Sequence, residues 1–147
     1  MLRDAHIIRL DSDGRIKLPS SVRSEIETRW GSTLYITSLD GLEVRIYPIQ
    51  VWEEIEAKLA KAPSMNPSII KFTDRTAYYG RTCIFDKQGR AMIHPLLRKS
   101  ASLEGEEVTL LGKHTYLTMM NHQIFQERRL AQPITPEDYE VFQSFGI

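Results

Sequence analysis

The chain has 147 residues, 41% of them apolar and 26% charged, and its 19 basic and 19 acidic side chains balance. That length suits one compact domain or two small repeats, and zero net charge excludes a uniformly basic nucleic-acid coat. No apolar run approaches the roughly 20 residues of a membrane span, Met1-Leu2-Arg3-Asp4 lacks a signal-peptide core, and a single cysteine, Cys83, permits no internal disulfide.

Ile7, Ile8 and Leu10 lead into Asp11-Ser12-Asp13-Gly14, after which Arg15-Ile16-Lys17-Leu18 alternates polar and apolar. Alternation with period two predicts a half-buried strand. Asp-Gly between two such runs predicts a hairpin: Gly14 can take positive φ, and the Asp11 carboxylate can accept backbone N–H groups two residues on. Pro19 ends the strand, and Val22, Ile26 and Trp30 recur at helical spacing. The unit reads strand, tight turn, strand, short helix. A second strand pair follows, Thr33–Thr37 and Leu42–Pro48 about a turn at Asp40-Gly41. Val51, Trp52, Ile55 and Leu59 then form the inner side of an amphipathic helix.

Residues 62–68 have linker composition, and Asn66-Pro67 can cap a helix with Ile69, Ile70, Thr73 and Ala77 inside. The opening pattern then returns. Phe85-Asp86-Lys87-Gln88-Gly89-Arg90-Ala91-Met92-Ile93-His94-Pro95-Leu96-Leu97-Arg98 matches residues 10–23 with a shift of 75 and no gap. The Asp, the Gly-Arg pair and the final Arg align, as do the apolar residues at 10/85, 18/93 and 22/97. Leu97, Ala101 and Leu103 supply an inner face, and strands at Val108–Leu111 and Tyr116–Met120 follow. Thr135-Pro136-Glu137-Asp138 can cap a tail helix with Tyr139, Phe142 and Phe145 on one side; docking on its own chain is the expected arrangement. The expected division is 1–61 for the first repeat with its closing helix, 62–80 for a linker and helix, 81–128 for the second repeat and 129–147 for the tail. Units this small bury little surface alone, so each should pair with its twin or with another chain. Cys83 reads as a buried strand residue.

Charge is uneven. Residues 71–101 carry seven Lys/Arg against two acids, and residues 102–147 three against seven. The basic part surrounds the second turn.

Two tandem Asp-x-x-Gly-Arg units, each followed by strand, proline and a short helix with Arg, resemble the MraZ proteins of bacteria, in the AbrB-like swapped-hairpin superfamily. The resemblance spans about residues 4–128. It implies a mainly β fold with short helices (α+β), built as tandem duplicated swapped-hairpin β-barrel units. It also implies a sequence-specific DNA-binding transcriptional regulator, acting as a repressor of the division and cell-wall gene cluster. Such a protein binds direct promoter repeats of double-stranded DNA as a homo-oligomeric ring, in the cytoplasm and at the nucleoid. The DNA-contacting positions carried over are Arg15, Lys17, Lys87 and Arg90, with Asp11, Gly14, Asp86 and Gly89 forming the turns. Arg23 and Arg98 also match, with a role in structural pairing open. Asp13, Ala91, His94 and Thr118-Met119-Met120 depart from the family pattern, and Asp13 adds a negative charge beside the first turn.

Arg can pair two acceptors of a phosphate or of a guanine edge, and many tips on one oligomer multiply a weak contact. The competing structural reading makes Asp11–Arg15 and Asp86–Arg90 mere turn-stabilising pairs. Catalysis is not expected: His6, His94, His114 and His122 lack metal-ligand spacing, and neither a phosphate loop nor a nucleophile elbow occurs. No cofactor, metal, small-molecule substrate or membrane is expected. The alternative function is an oligomeric protein-interaction module or antitoxin-like protein acting through residues 133–147.

Overall fold

Neither repeat closes a core of its own. Ile16, Leu18, Ile26, Leu34 and Ile46 from the first and Phe85, Ile93, Leu97, Leu110 and Met119 from the second are all at most 3% exposed and belong to one cluster. The computed structural model describes all 147 residues. In chain order the elements are β1 (Ala5–Ile8), β2 (Arg15–Lys17), α1 (Ser20–Trp30), β3 (Thr33–Ser38), β4 (Val44–Pro48), α2 (Ile49–Lys61), α3 (Pro67–Tyr78), β5 (Arg81–Ile84), β6 (Arg90–Met92), α4 (Pro95–Ser100), β7 (Val108–Gly112), β8 (Leu117–Asn121), α5 (His122–Phe125) and α6 (Pro136–Ser144), with a π-helical turn at Gln126–Leu130 before α6. The mainly β class with short helices is what the sequence led us to expect.

The six-stranded sheet runs β1-β7-β8-β4-β3-β5, and β2 pairs with β6 in a separate two-stranded ribbon. Every pairing is antiparallel. The order is its own reverse when the repeats are exchanged. β1 of the first repeat adds to the second repeat's β7, and β5 of the second adds to the first repeat's β3. An approximate twofold passes between Ile16 and Ala91, which face each other in the ribbon and are shifted by 75 in sequence.

Two expectations change here. Each Asp-x-x-Gly turn was expected to close a hairpin, yet β1 and β2 do not pair with each other, nor do β5 and β6. The turn redirects the chain out of the sheet, and β2 finds its ladder partner across the pseudo-twofold. The sheet also stays open, with β1 and β5 as edges, so the barrel units implied by the resemblance do not close within this chain.

The helices follow their sequence signals locally. Val22 and Ile26 of α1 and Leu97 of α4 are buried. Asn66 caps α3 by accepting the Ser68 N–H, with Pro67 in the first turn. Trp52 of α2 stacks on Tyr35 at 4.7 Å and on Phe72 of α3 at 6.3 Å, which fixes both helices to the sheet. The inner side of α3 is Ile69, Phe72 and Thr76; Ile70, Thr73 and Ala77, expected inside, are exposed. The stack on Trp52 selects the face containing Phe72.

The tail helix does not dock on its own chain. Arg129 ties the preceding turn to Glu43 at 2.8 Å, but every residue from 126 to 147 is exposed except half-buried Phe142. α6 is held by local chemistry instead: Thr135 and Asp138 form a reciprocal capping box, and Tyr139 packs edge-on against Phe142. No helix is long and apolar enough to cross a membrane.

Candidate nucleic-acid interface

Each turn is built by its aspartate. In the first, Asp11 Oδ1 accepts the N–H groups of Asp13 (2.9 Å) and Arg15 (3.0 Å), and the Asp11 carbonyl accepts the Gly14 N–H (3.0 Å). In the second, Asp86 Oδ1 accepts from Gln88 and Arg90, both at 2.9 Å, and the Asp86 carbonyl from Gly89 at 2.9 Å. Gly14 and Gly89 both sit at φ 80°, a conformation that disfavours any residue with a Cβ. The backbone N–H of Arg15 holds the Asp11 carboxyl below the ordinary aspartate value of 3.8, helped by the Asp13 N–H and the Arg15 charge. Asp86 is lowered in the same way, first by the Arg90 N–H and then by that of Gln88 and by the charges of Arg90 and Arg15. Both carboxylates are therefore anionic at neutral pH.

The turns feed the ribbon, and the ribbon gathers the cations. Its register is Arg15↔Met92, Ile16↔Ala91, Lys17↔Arg90. Ile16 and Ala91 are fully buried, so period-two alternation turns Arg15, Lys17, Arg90 and Met92 outward. Three cations from two distant segments thus share one face. Lys87 is exposed at the second turn. Met92, 43% exposed, belongs to this face and was not singled out from sequence. The signal available was the matched shift of 75, which pairs residues 16 and 91. Ala91, small for its position, faces Ile16 across the pseudo-twofold.

The two Gly-Arg arginines differ. Arg15 Nε lies 3.1 Å from Asp11 Oδ2 and its Nη2 lies 3.1 Å from Asp13 Oδ2. Its fork is shared between two carboxylates, which brace the first turn. Arg90 forms no such pair; Gln88 stands where the first turn has Asp13, and only the Arg90 backbone N–H meets Asp86. Arg23 and Arg98 are not on the ribbon's outer face. Each lies beneath the opposite repeat's glycine.

Other residues singled out from sequence have quieter surroundings. Cys83 is half-buried on β5, and burial pushes its thiol up, partly offset by the Met92 N–H. His94 stands just before α4 and sets Nε2 2.6 Å from the Tyr79 carbonyl. His122 Nδ1 lies 2.6 Å from Thr109 Oγ1. No group of three or more His, Cys, Asp or Glu side chains comes together to hold a metal ion.

Fold and site together define a strand-exchanged tandem repeat protein that presents a two-stranded cationic ribbon framed by aspartate turns. Residues 1–74 match the family model described as "MraZ protein, putative antitoxin-like". The chain is 42% identical over 147 residues to the transcriptional regulator MraZ of Acidobacterium capsulatum and 39% identical over 148 residues to that of Koribacter versatilis; both alignments cover 100% of each chain. The regulator of the same name from Shewanella frigidimarina is 34% identical over 113 residues, 76% of this chain and 74% of the relative. The chain belongs to the MraZ family.

Proposed function

We infer that this chain is a sequence-specific DNA-binding transcriptional regulator that reads double-stranded DNA with the β2–β6 ribbon and its two turns. The observation that supports this most directly is the outward face of Arg15, Lys17 and Arg90, with no acid on the strands themselves. A two-stranded ribbon is narrow enough for the major groove, and an arginine fork suits guanine edges and phosphates. The relatives' shared name, transcriptional regulator MraZ, points the same way. The finer reading is a cytoplasmic, nucleoid-associated repressor of the division and cell-wall genes, assembled as a ring that sets successive ribbons on direct promoter repeats. Exposed apolar residues on the tail, among them Tyr139 at 57% and Phe145 at 77%, suit contacts between subunits of such a ring. The same exposed tail supports a second reading, a protein-interaction module.

The test is fluorescence anisotropy over a salt series, with DNA from upstream of the protein's own gene and with Arg15→Ala and Arg90→Ala beside wild type. Tight binding that weakens steeply with salt is expected, each substitution lowering the slope by about 0.9 per lost phosphate contact. A folded oligomer that ignores this DNA refutes the regulator and turns the search to a partner for the tail.

A further inference from the structure

Arg23 and Arg98 are repeat-equivalent, yet neither serves its own turn. A Cβ built on Gly14 would collide with the guanidinium of Arg98, which comes from the second repeat. Arg98 is fixed at both ends of its fork: Nε donates to Glu104 Oε1 at 3.0 Å and Nη1 to the Ile93 carbonyl at 2.7 Å. The Ile93 N–H in turn donates to the Gly14 carbonyl at 3.0 Å. With a side chain only 15% exposed, Arg98 is poorly placed to reach a phosphate itself. In the other direction, Cδ of Arg23 lies 2.8 Å from where a Gly89 Cβ would stand, Arg23 pairs with Glu27 at 3.2 Å, and the Leu18 N–H donates to the Gly89 carbonyl at 2.8 Å.

We propose that Arg98 and Arg23 are positioning residues that seat the first and second turns respectively from beneath, each across the repeat boundary, so that each turn is presented to DNA by the opposite repeat. This rests on the DNA-binding reading above. The chain of contacts runs Arg98, Ile93, Gly14, and then one residue on to Arg15. The seating is uneven. Arg98 is anchored through Nε and Nη1 of its guanidinium, whereas Arg23 supports Gly89 with its aliphatic stem. Turn one is the fixed reference, and turn two, with its unpaired Arg90, is the adaptable contact.

Arg98→Lys keeps the charge and removes the fork, since an ammonium cannot span Glu104 and the Ile93 carbonyl as the guanidinium does. Two measurements on the full-length protein test the proposal. In hydrogen exchange without DNA, Arg98→Lys speeds exchange of the Ile93 amide and leaves the Leu18 amide unchanged. In promoter-DNA binding, Arg98→Lys weakens affinity about tenfold in the wild-type and Arg90→Ala backgrounds, and less than twofold in Arg15→Ala, because residues in one network do not add. Arg23→Ala, which removes the stem beneath Gly89, shows the opposite pairing, additive with Arg15→Ala and coupled to Arg90→Ala. Glu104→Gln, at a half-exposed side chain, repeats the Arg98 pattern more weakly should Arg98→Lys fold poorly. Equal loosening of both amides, or additivity with both arginine variants, marks a merely structural role and overturns the proposal. Selective exchange at Ile93 in a protein that binds no DNA sustains the seating and refutes the regulator reading alone.

Discussion

The difference between the two turns predicts that one exchange of residues shifts DNA affinity in opposite directions. Asp13→Gln gives turn one the residue that turn two has at Gln88. Two terms act. Asp13 no longer occupies Nη2 of Arg15; the pair is 3.1 Å long and Asp13 is 68% exposed, so its loss is worth about 0.2–1 kcal/mol. A carboxylate about 6 Å from a phosphate bound on the far side of the guanidinium repels it by roughly 0.7 kcal/mol in water, about half of that at physiological salt. The sum is near 1 kcal/mol, roughly a fivefold gain in affinity per turn. Gln88→Asp should lose a similar factor by capturing Arg90. Stability should move by less than about 0.5 kcal/mol in either variant, since the Asp11 and Asp86 networks remain. Anisotropy titrations of wild type and both variants at two salt concentrations make the comparison, with urea unfolding as control. Gain in neither variant, or loss in both, would refute the argument that carboxylate capture separates the two arginines.

Gly14→Ala forces a Cβ onto φ 80° and against the Arg98 guanidinium, whereas at Gly89 the obstacle is the more yielding stem of Arg23. Both should cost at least roughly 1–2 kcal/mol in urea unfolding, with Gly14→Ala the worse. Leu97→Ala empties a fully buried site in the shared core and should cost about 2–5 kcal/mol, lost in one transition that spans both repeats rather than two. Asp11 and Asp86 have folded pKa values below 3.8, so their contribution is complete above that value and lost as pH falls through the lower folded values. The Arg15 and Arg90 amide resonances should therefore hold steady from neutral pH down to about 4 and shift only below it; movement near pH 6 would contradict the assignment.

Local chemistry was legible in the sequence and partnership was not. The Asp-x-x-Gly turns, the Asn66 and Thr135 caps and the buried positions 22, 26 and 97 each depend on residues within a few positions of one another, and all of them form, although the turns close no hairpin between their own strands. An Asp-Gly turn looks the same whether its strands pair with each other or with strands 75 residues away, so the exchange left no local mark. The inner side of α3 was ambiguous for a related reason. Ile69, Ile70, Phe72 and Thr73 offer two apolar stripes, and only Trp52, brought by another helix, chooses between them. A capping box likewise announces that α6 forms without naming what covers it. At the proposed interface the residue types were readable. One difference between the arginines is legible one residue before each glycine, where Asp13 takes Nη2 of Arg15 and Gln88 offers Arg90 no carboxylate.

The cationic face follows from the core and not from net charge. Ile16 and Ala91 meet at the pseudo-twofold with no exposure, and alternation then leaves Arg15, Lys17, Arg90 and Met92 nowhere to point but outward. A one-residue slip of β2 against β6 would turn a cation inward, at a cost of several kcal/mol for an unpaired buried charge. The slip would also break the Gly14–Ile93 and Gly89–Leu18 backbone bonds that pin both ends of the ribbon. The packing that stabilises the chain therefore selects the register that assembles the cations. A protein with as many acids as bases can still line up three cations on one strand face because its duplication folds two separate basic segments onto one ribbon.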